Sequence, residues 1–293
     1  MGRLTTGKTT LQIGITTKYL TFENSFEKIR EIGYDGVDYT IGAEKTVFDE
    51  PRTAWIAHFK TRRKMLADCG LQIFQTHASY PSNIDREPRF SDSSFEQMKK
   101  EIEATAVLGS PYVVIHPINF AIGDVRRDEE YAVNLEMYLR LEPVLREAGV
   151  KLGIENMWIF DNSRNRYAPT SCALAEDMVK IIDELNSDRF VACLDTGHIH
   201  MQGYSPAAAV RRLGSRLKLM HAHDNYGAHD SHKAPGQGNI DWQDYAAALK
   251  EIGYDGAFSM ELGLRREFAF SEESGLAYLR YAYAVAKEIT EFV

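Results

Sequence analysis

The chain has 293 residues, of which 44% are apolar and 26% are charged, the proportions of a folded globular protein rather than a disordered one. Lys and Arg number 34 and Asp and Glu number 42, for a formal charge of −8. This sign disfavours a protein that binds nucleic acid through the phosphate backbone. The length suits a β-sandwich with a partner domain, or a single α/β barrel of about 250 residues with extensions.

Cysteine use and hydropathy narrow the class of protein further. The three cysteines are far apart and form no C-x-x-C pair, at Cys69, Cys172 and Cys193. We therefore predict neither a disulfide framework nor a thiolate zinc site. The sequence contains no apolar run of about 18 residues and no secretory h-region near its N-terminus. We expect a cytoplasmic location without membrane association.

Two motif matches near the N-terminus lack the context that their function needs. Gly2 to Thr9 satisfies the phosphate-loop pattern, but no strand precedes it and a strand rather than a helix is predicted after it. Met1-Gly2 with Thr6 satisfies the loose myristoylation pattern, but no second membrane signal accompanies it. Residues 1–10 are interpreted as a flexible leader.

From residue 11 onward, short apolar runs rich in Val, Ile and Tyr alternate with longer segments of helical period, a pattern typical of repeated β-α units. Eight strands are predicted, over residues 11–16, 36–40, 71–77, 112–116, 151–156, 190–195, 217–222 and 257–262. Helices are predicted in the intervals, over residues 22–32, 52–69, 94–108, 128–148, 172–186, 206–213, 242–252 and 272–288.

The number and order of these units predict how they close. Residues 31–36 and 251–256 share the hexapeptide EIGYDG, before the second and the eighth predicted strand, which indicates equivalent units. Eight β-α units close most economically into a barrel, because closure removes both sheet edges. An open doubly wound sheet would normally carry a glycine-rich loop after its first strand, and none follows Thr16. We predict a single-domain α/β protein, a (β/α)8 TIM barrel, over residues 11–293.

Side chains that bind divalent metals follow the predicted strands. They are His77, His116, Glu155, Asp195, His198, His221 and Glu261, and the loop after the seventh strand adds His223, Asp224, His229, Asp230 and His232. Of the nine histidines, only His58 and His200 lie outside this set. In a (β/α)8 barrel the carboxyl ends of all strands meet on one face. We therefore predict at least one divalent ion there, Mn²⁺, Mg²⁺, Co²⁺ or Zn²⁺.

Several stretches of the C-terminal half resemble a known superfamily. They are Gly153-Ile-Glu155-Asn, Cys193-Leu-Asp195-Thr-Gly-His198, His221-Ala-His-Asp224, Asp230-Ser-His232-Lys-Ala-Pro-Gly-Gln-Gly238-Asn-Ile-Asp-Trp242 and Met260-Glu261. Together with His77 and His116, they resemble the xylose isomerase-like TIM-barrel superfamily. That superfamily contains sugar phosphate isomerases and epimerases, ketose 3-epimerases and endonuclease IV.

The resemblance implies a sugar isomerase or epimerase, or a sugar phosphate one, in which a single metal is held by Glu155, Asp195, His221 and Glu261. Glu155 and Glu261 would then be the acid/base pair that removes and returns a proton through a metal-stabilised enediolate. His198 would bind a substrate oxygen, and the pocket would be walled by Trp158, Phe120 and Trp242.

One departure from the ketose 3-epimerases concerns an arginine that they usually carry shortly after the strand-seven histidine. No arginine occurs between His221 and Arg265. Lys233 would substitute for it. The expected partner is a small-molecule carbohydrate, and both a free and a phosphorylated sugar stay open. A homo-oligomer is also compatible with the sequence.

The alternative that the resemblance implies is a zinc-dependent phosphodiesterase similar to endonuclease IV. Three zinc ions would be bound by His77, His116, Glu155, Asp195, His198, His221, Asp230, His232 and Glu261. Against it stands the charge of −8, because a face that binds duplex DNA should present a basic stripe. A barrel that only binds a ligand is the least favoured reading, since two partly buried carboxylates beside a metal suit catalysis better.

Overall fold

The structure is a computed structural model that describes residues 10–18, 20, 24–81, 89–120, 126–263 and 271–293. The phosphate-loop and myristoylation matches, within residues 1–9, lie outside these ranges, as does Arg265. No helix in the described ranges combines the length and the hydropathy needed to cross a membrane.

The described strands follow one another along the chain with helices between them. They are β1 (Ile13–Thr16), β2 (Gly36–Thr40), β3 (Gln72–His77), β4 (Tyr112–Ile115), β5 (Lys151–Glu155), β6 (Trp158–Asp161), β7 (Arg166–Pro169), β8 (Phe190–Asp195), β9 (Leu217–His221) and β10 (Phe258–Met260). The helices are α1 (Ser25–Ile32), α2 (Arg52–Asp68), α3 (Asp92–Leu108), α4 (Arg127–Ala148), α5 (Ala175–Leu185), α6 (Thr196–Met201), α7 (Pro206–Leu213), α8 (Trp242–Ile252) and α9 (Glu272–Glu291). Two 3₁₀ segments cover Ile41–Asp49 and Gly214–Arg216.

Eight of these strands form the barrel wall. Within the described residues they run in the order β10-β1-β2-β3-β4-β5-β8-β9, and every neighbouring pair is parallel. The ring closes between β9 and β10 through the parallel bridge of Ala222 with Met260, where the Ala222 N–H donates to Ser259 O at 2.8 Å. The predicted (β/α)8 barrel is confirmed.

The strands are buried on both faces, as parallel strands covered by helices must be. All six residues of β8 are buried, from Phe190 to Asp195. The larger hydrophobic cluster packs the strands against the helices, and a smaller, separate cluster consists of Val114, Val191, Cys193 and Leu219. The repeated hexapeptide forms the same helix-to-strand connection at both of its positions. Gly33 ends α1 and Gly253 ends α8, with φ of 126° and 63°, a region that glycine enters at little cost.

The predicted boundaries differ from the observed ones mainly at the strand ends. The fourth, fifth and seventh strands end one residue before the prediction, and the eighth covers only Phe258–Met260. Apart from the 3₁₀ segment before β9, three elements were not predicted: the antiparallel hairpin of β6 and β7, the 3₁₀ segment after β2, and α6. They are short elements in the loops above the barrel, where tertiary contacts outweigh the weak local pattern.

Candidate metal centre

The predicted metal-type side chains gather at the carboxyl ends of the barrel strands. Four of them are the last residues of β3, β5, β8 and β9, namely His77, Glu155, Asp195 and His221. His116 and Glu261 follow β4 and β10 directly. All six are buried, the most exposed being His116 at 7%. The parallel sheet therefore brings side chains that are up to 184 positions apart in sequence to one face.

Glu155, Asp195, His221 and Glu261 form one compact group. One ligand atom from each lies within 4.8 Å of every other. His221 Nδ1 is 3.0 Å from Glu155 Oε1 and 3.4 Å from Glu261 Oε2. Three carboxylates around one imidazole nitrogen repel one another unless a cation lies among them.

A second group lies on the β3 and β4 side of Glu155. His116 Nε2 is 2.9 Å and His77 Nε2 is 3.5 Å from Glu155 Oε2. The two Nε2 atoms are themselves 3.1 Å apart. Glu155 is therefore shared between this pair of histidines and the four-residue group.

A third group is formed by His198 on α6 and by residues of the loop after β9. Its members are His198, His223, Asp230 and His232, again with ligand atoms within 4.8 Å of one another. The sequence places His223 in this loop but does not indicate a specific role for it. Its Nε2 is 2.9 Å from Asp195 Oδ1, and its ring stacks on His232 with centroids 4.1 Å apart. Asp195 thus links the third group to the first.

Backbone contacts determine which nitrogen of three histidines faces the centre. In each of them Nδ1 donates to a main-chain carbonyl at 2.9 to 3.0 Å: His77 to Ala78, His198 to Asn156, and His232 to Glu261. A carbonyl only accepts, so the proton of the neutral ring stays on Nδ1 and Nε2 presents its lone pair. Those lone pairs face Glu155 and Asp230, which is the geometry of metal ligands held in place by their second nitrogen.

The charge balance of the centre favours ionised carboxylates. Burial opposes ionisation of Glu155, but His221 and His116 outweigh it and hold the pKa of Glu155 well below its usual range. Burial likewise opposes ionisation of Glu261, yet His221 and His232 lower its pKa to about 2. Both carboxylates are therefore anions near neutral pH.

The histidines of the third group respond in the opposite sense. Burial disfavours the charged ring of His198, but Asp195 and Asp230 raise its pKa to about 10. Burial acts the same way on His232, and Asp230 raises its pKa to about 9. Protons on these rings supply positive charge that bound cations would otherwise supply.

Unsatisfied polar atoms test whether these residues fit a metal. Among the described side chains, both Glu155 oxygens, His221 Nδ1, His223 Nδ1 and Asp230 Oδ1 are buried without a well-aligned hydrogen bond, although His116 and His221 nitrogens lie 2.9 and 3.0 Å from the Glu155 oxygens. Such atoms are costly to bury. They belong to imidazole and carboxylate groups, the donors that Zn²⁺, Mn²⁺ and Co²⁺ accept. The residues present fit a divalent ion.

Asp224 holds the loop that carries Asp230 and His232. Its Oδ2 accepts from the Gly236 N–H and from Trp242 Nε1, both at 2.9 Å, and its Oδ1 accepts from the Asn225 and Ile240 N–H groups. At Gly238 a Cβ atom would lie 2.3 Å from Asn225 O, so only glycine permits the close approach. This accounts for the spacing of the H-x-H-D-N and G-x-G-x-x-D-W stretches.

The predicted pocket residues differ in where they lie. Trp158, on the β6–β7 hairpin, has its ring centroid 6.0 Å from that of His198 and borders the centre. Trp242 was expected to line the pocket, but its ring packs between α8 and the barrel against Tyr245 and Phe258. A tryptophan at the first position of a helix turns toward the core when its indole N–H has a buried acceptor, here Asp224.

The other two predicted pocket residues have contacts elsewhere. The Arg126 guanidinium lies 4.9 Å from the ring centre of Phe120, and the Phe120 N–H donates to Glu130. The Lys233 backbone pairs with Asp224, and its ammonium lies 5.1 Å from the ring centre of Tyr226. Within the described residues, these contacts reach no member of the three groups.

Sequence reasoning missed three residues that approach the centre. Lys18 Nζ is 4.0 Å from Glu261 Oε1 and donates to the Tyr80 hydroxyl at 3.2 Å. The Tyr80 ring stacks on His116 with centroids 4.3 Å apart. Asp38, in β2, contacts His221. Lys18 and Tyr80 follow the ends of β1 and β3 by two and three residues. Their position just after a strand end is therefore a signal in the sequence, although neither is a metal-type side chain.

A cavity of about 540 Å³ opens beside this end of the centre. Its lining includes Lys18, Thr40, His77, Tyr80 and Gln97. It combines apolar walls with a few polar groups, as small-molecule sites do. The cavity thus lies next to the centre at the carboxyl ends of β1, β2 and β3.

Comparison with known proteins places this geometry in a family. Residues 26–281 match the family profile of the xylose isomerase-like TIM barrel. An uncharacterised protein of Sinorhizobium fredii is 27% identical over 297 residues, covering 92% of this chain and 89% of its own. The D-psicose 3-epimerase of Enterocloster bolteae is 24% identical over 249 residues, covering 83% and 77%.

A solved structure shares the fold over nearly the whole chain. The crystal structure of a D-psicose 3-epimerase in the presence of D-fructose superimposes with a TM-score of 0.75 at 18% identity, covering 96% of this chain and 99% of that one. The family match spans more than half of the sequence. With its eight-stranded barrel, the protein belongs to the xylose isomerase-like TIM-barrel family.

Proposed function

We propose that the protein is a metal-dependent isomerase or epimerase of a keto-sugar. The observation that carries the proposal is the pair of buried carboxylates, Glu155 and Glu261, on either side of His221 Nδ1 at 3.0 and 3.4 Å. Two carboxylates at one site can remove a proton from one face of a carbon and return one to the other. The similarity to a D-psicose 3-epimerase supports the same class of reaction.

A divalent ion held by Glu155, Asp195, His221 and Glu261 would polarise the substrate carbonyl and the neighbouring hydroxyl, which lowers the cost of removing the proton between them. The carboxylates of Glu155 and Glu261 are anions near neutral pH and are thus ready to accept that proton. Their burial keeps bulk water away from the reacting carbon, while a proton held by a carboxylate exchanges with solvent before one is returned to the substrate.

The surrounding residues would orient the sugar. His198 is buried, and its Nδ1 donates to Asn156 O, which fixes the ring beside Glu155. Lys18 and Tyr80 offer hydrogen bonds to sugar hydroxyls at the cavity beside His77. Trp158 supplies an apolar wall near His198. Holding the reacting carbon in line with the two carboxylates accounts for a large part of the expected rate enhancement.

Solvent exchange tests the proton transfer directly. The protein is loaded with Mn²⁺ or Co²⁺ and incubated in D₂O with D-fructose and other ketohexoses, and the sugars are examined by NMR. We expect deuterium at a carbon next to the carbonyl of each converted sugar, and Glu155→Gln or Glu261→Gln should suppress it by about 10²-fold or more. Conversion without any deuterium incorporation would contradict the proposal.

One observation favours a second candidate, a phosphodiesterase with three metal ions. The three groups of ligand atoms involve all nine residues expected for such a cluster, and they share Glu155 and Asp195. A cluster of this kind activates water and binds phosphate. The formal charge of −8 weighs against a duplex substrate. Metal content separates the two candidates, because the isomerase requires one ion per chain and the phosphodiesterase three.

A further inference from the structure

We propose that Asp38 is a positioning residue that fixes the tautomer and the ring orientation of His221 for metal binding. The inference rests on the metal centre of the proposed function. Asp38 lies in the middle of β2, two residues before the strand end, and its side chain is 1% exposed. Its side chain reaches His221 across the barrel interior, because β2 and β9 are not neighbours in the sheet.

The contacts of Asp38 identify its partner. Its Oδ2 accepts from His221 Nε2 at 2.9 Å and from Gln75 Nε2 at 3.0 Å. Its Oδ1 is buried without a hydrogen-bond partner in the described structure. Of the described Lys, Arg and His side chains, only His221 lies within ion-pair distance of it. Burying a carboxylate with so few polar partners costs free energy of folding. The contacts that support the fold do not account for that cost.

The bond to Asp38 assigns the proton of the neutral His221 ring to Nε2. A carboxylate accepts and does not donate, so Nε2 carries the hydrogen and Nδ1 presents its lone pair. Nδ1 is the atom that lies 3.0 Å from Glu155 Oε1 and 3.4 Å from Glu261 Oε2. The ring is thus aimed at the centre of the quartet by a contact on its far side.

This arrangement is the reverse of that in three other histidines of the centre. His77, His198 and His232 are held through Nδ1 by main-chain carbonyls and present Nε2. No carbonyl bond holds His221 through either nitrogen in the described structure; its only ring hydrogen bond goes to Asp38. A carboxylate behind a metal-binding histidine also makes the ring a stronger donor to the metal than a carbonyl does.

Metal binding by the full-length protein tests the inference without relying on activity. Apo-protein is titrated with Co²⁺, and both the Kd and the visible d–d bands are recorded for the parent, for Asp38→Asn and for Glu101→Gln. Glu101 is an equally buried carboxylate that accepts from Ser79 and Gln97 and contacts no residue of the quartet. We expect Asp38→Asn to raise the Kd about 10- to 100-fold and to shift the d–d bands, and Glu101→Gln to do neither.

The tautomer is observed in the parent protein itself, and a variant serves only to assign the signal. In the Zn²⁺-loaded parent, ¹⁵N-edited NMR of the histidine rings should identify His221, assigned with His221→Gln, as the ring that carries its proton on Nε2 and the metal on Nδ1. A proton on Nδ1 would overturn the inference, as would Asp38→Asn binding Co²⁺ with the Kd and spectrum of the parent. A parent that binds no Co²⁺ would instead overturn the metal centre itself.

Discussion

The candidate ligands at strand ends and the candidate ligands on a loop are held in place by different physical means. Glu155, Asp195 and His221 end strands of one parallel sheet, so the barrel itself fixes their backbones. Asp230 and His232 stand on the long loop after β9, where His232 adopts a φ of 46°. That loop depends on the buried Asp224 carboxylate and its four hydrogen bonds.

The difference indicates which part of the centre tolerates change. A ligand at a strand end needs only the sheet, whereas a ligand on a loop needs a second set of residues that order the loop. The two parts meet where His223 contacts Asp195. At Gly197, next to this contact, a Cβ atom would lie 1.9 Å from His223 Cε1, so the close approach of loop and strand end requires a glycine.

The largest effect is expected from removing a strand-borne ligand. His221→Ala or Asp195→Ala should release the ion and lower turnover by about 10³-fold or more, because a metal supplies several kcal/mol of transition-state stabilisation. Loss of the ion is measured as metal content after dialysis, and the loss of activity is measured as turnover of a converted keto-sugar. The control is His58→Ala, since His58, on α2, pairs with Glu44, which is not a member of the quartet. Full metal occupancy in either variant would contradict the quartet.

An intermediate effect is expected from changing both outer groups at once. His116→Ala combined with His232→Ala should leave one ion bound per chain and weaken the reaction chiefly through KM, because neither side chain belongs to the quartet. Metal analysis and steady-state kinetics measure the two effects. Cleavage of an abasic-site duplex by the parent at low salt, with loss of two ions in the double variant, would favour the phosphodiesterase instead.

A smaller effect is expected from loosening the loop. Asp224→Asn puts an amide where one carboxylate oxygen accepts two hydrogen bonds, leaving buried donors unpaired at a cost of about 1–3 kcal/mol each. We expect a lower free energy of unfolding in urea and faster hydrogen exchange at Gly236 and Ile240, while the strand-borne ion stays bound.

The matched control for the loop is Asp255→Asn, an exposed aspartate whose ion-pair partner in the described structure is Lys218. A surface pair of this kind contributes about 0–1 kcal/mol. If Asp224→Asn were as stable as Asp255→Asn and its amides exchanged no faster, the loop would be held by something other than Asp224.

The clustering of metal-type side chains at strand ends could be predicted because two regular patterns coincide there. Alternation of apolar runs with helical segments predicts the barrel, and the polar residue that ends each run then falls on one known face. His77, Glu155, Asp195 and His221 follow this rule, and the structure brings them together. Their role as ligands stays a prediction, as does the cytoplasmic location.

Contacts across the barrel were decided only by the tertiary structure. Asp38 lies inside a strand and reads as an ordinary polar residue, yet the curvature of the sheet brings it 2.9 Å from His221, which is 183 residues away. Trp242 follows the family motif but turns to the core, because its partner Asp224 is buried there. Local sequence determines which residues form a strand and where it ends. It does not determine which side chains meet across the barrel interior, because those contacts depend on the closure of all eight strands at once.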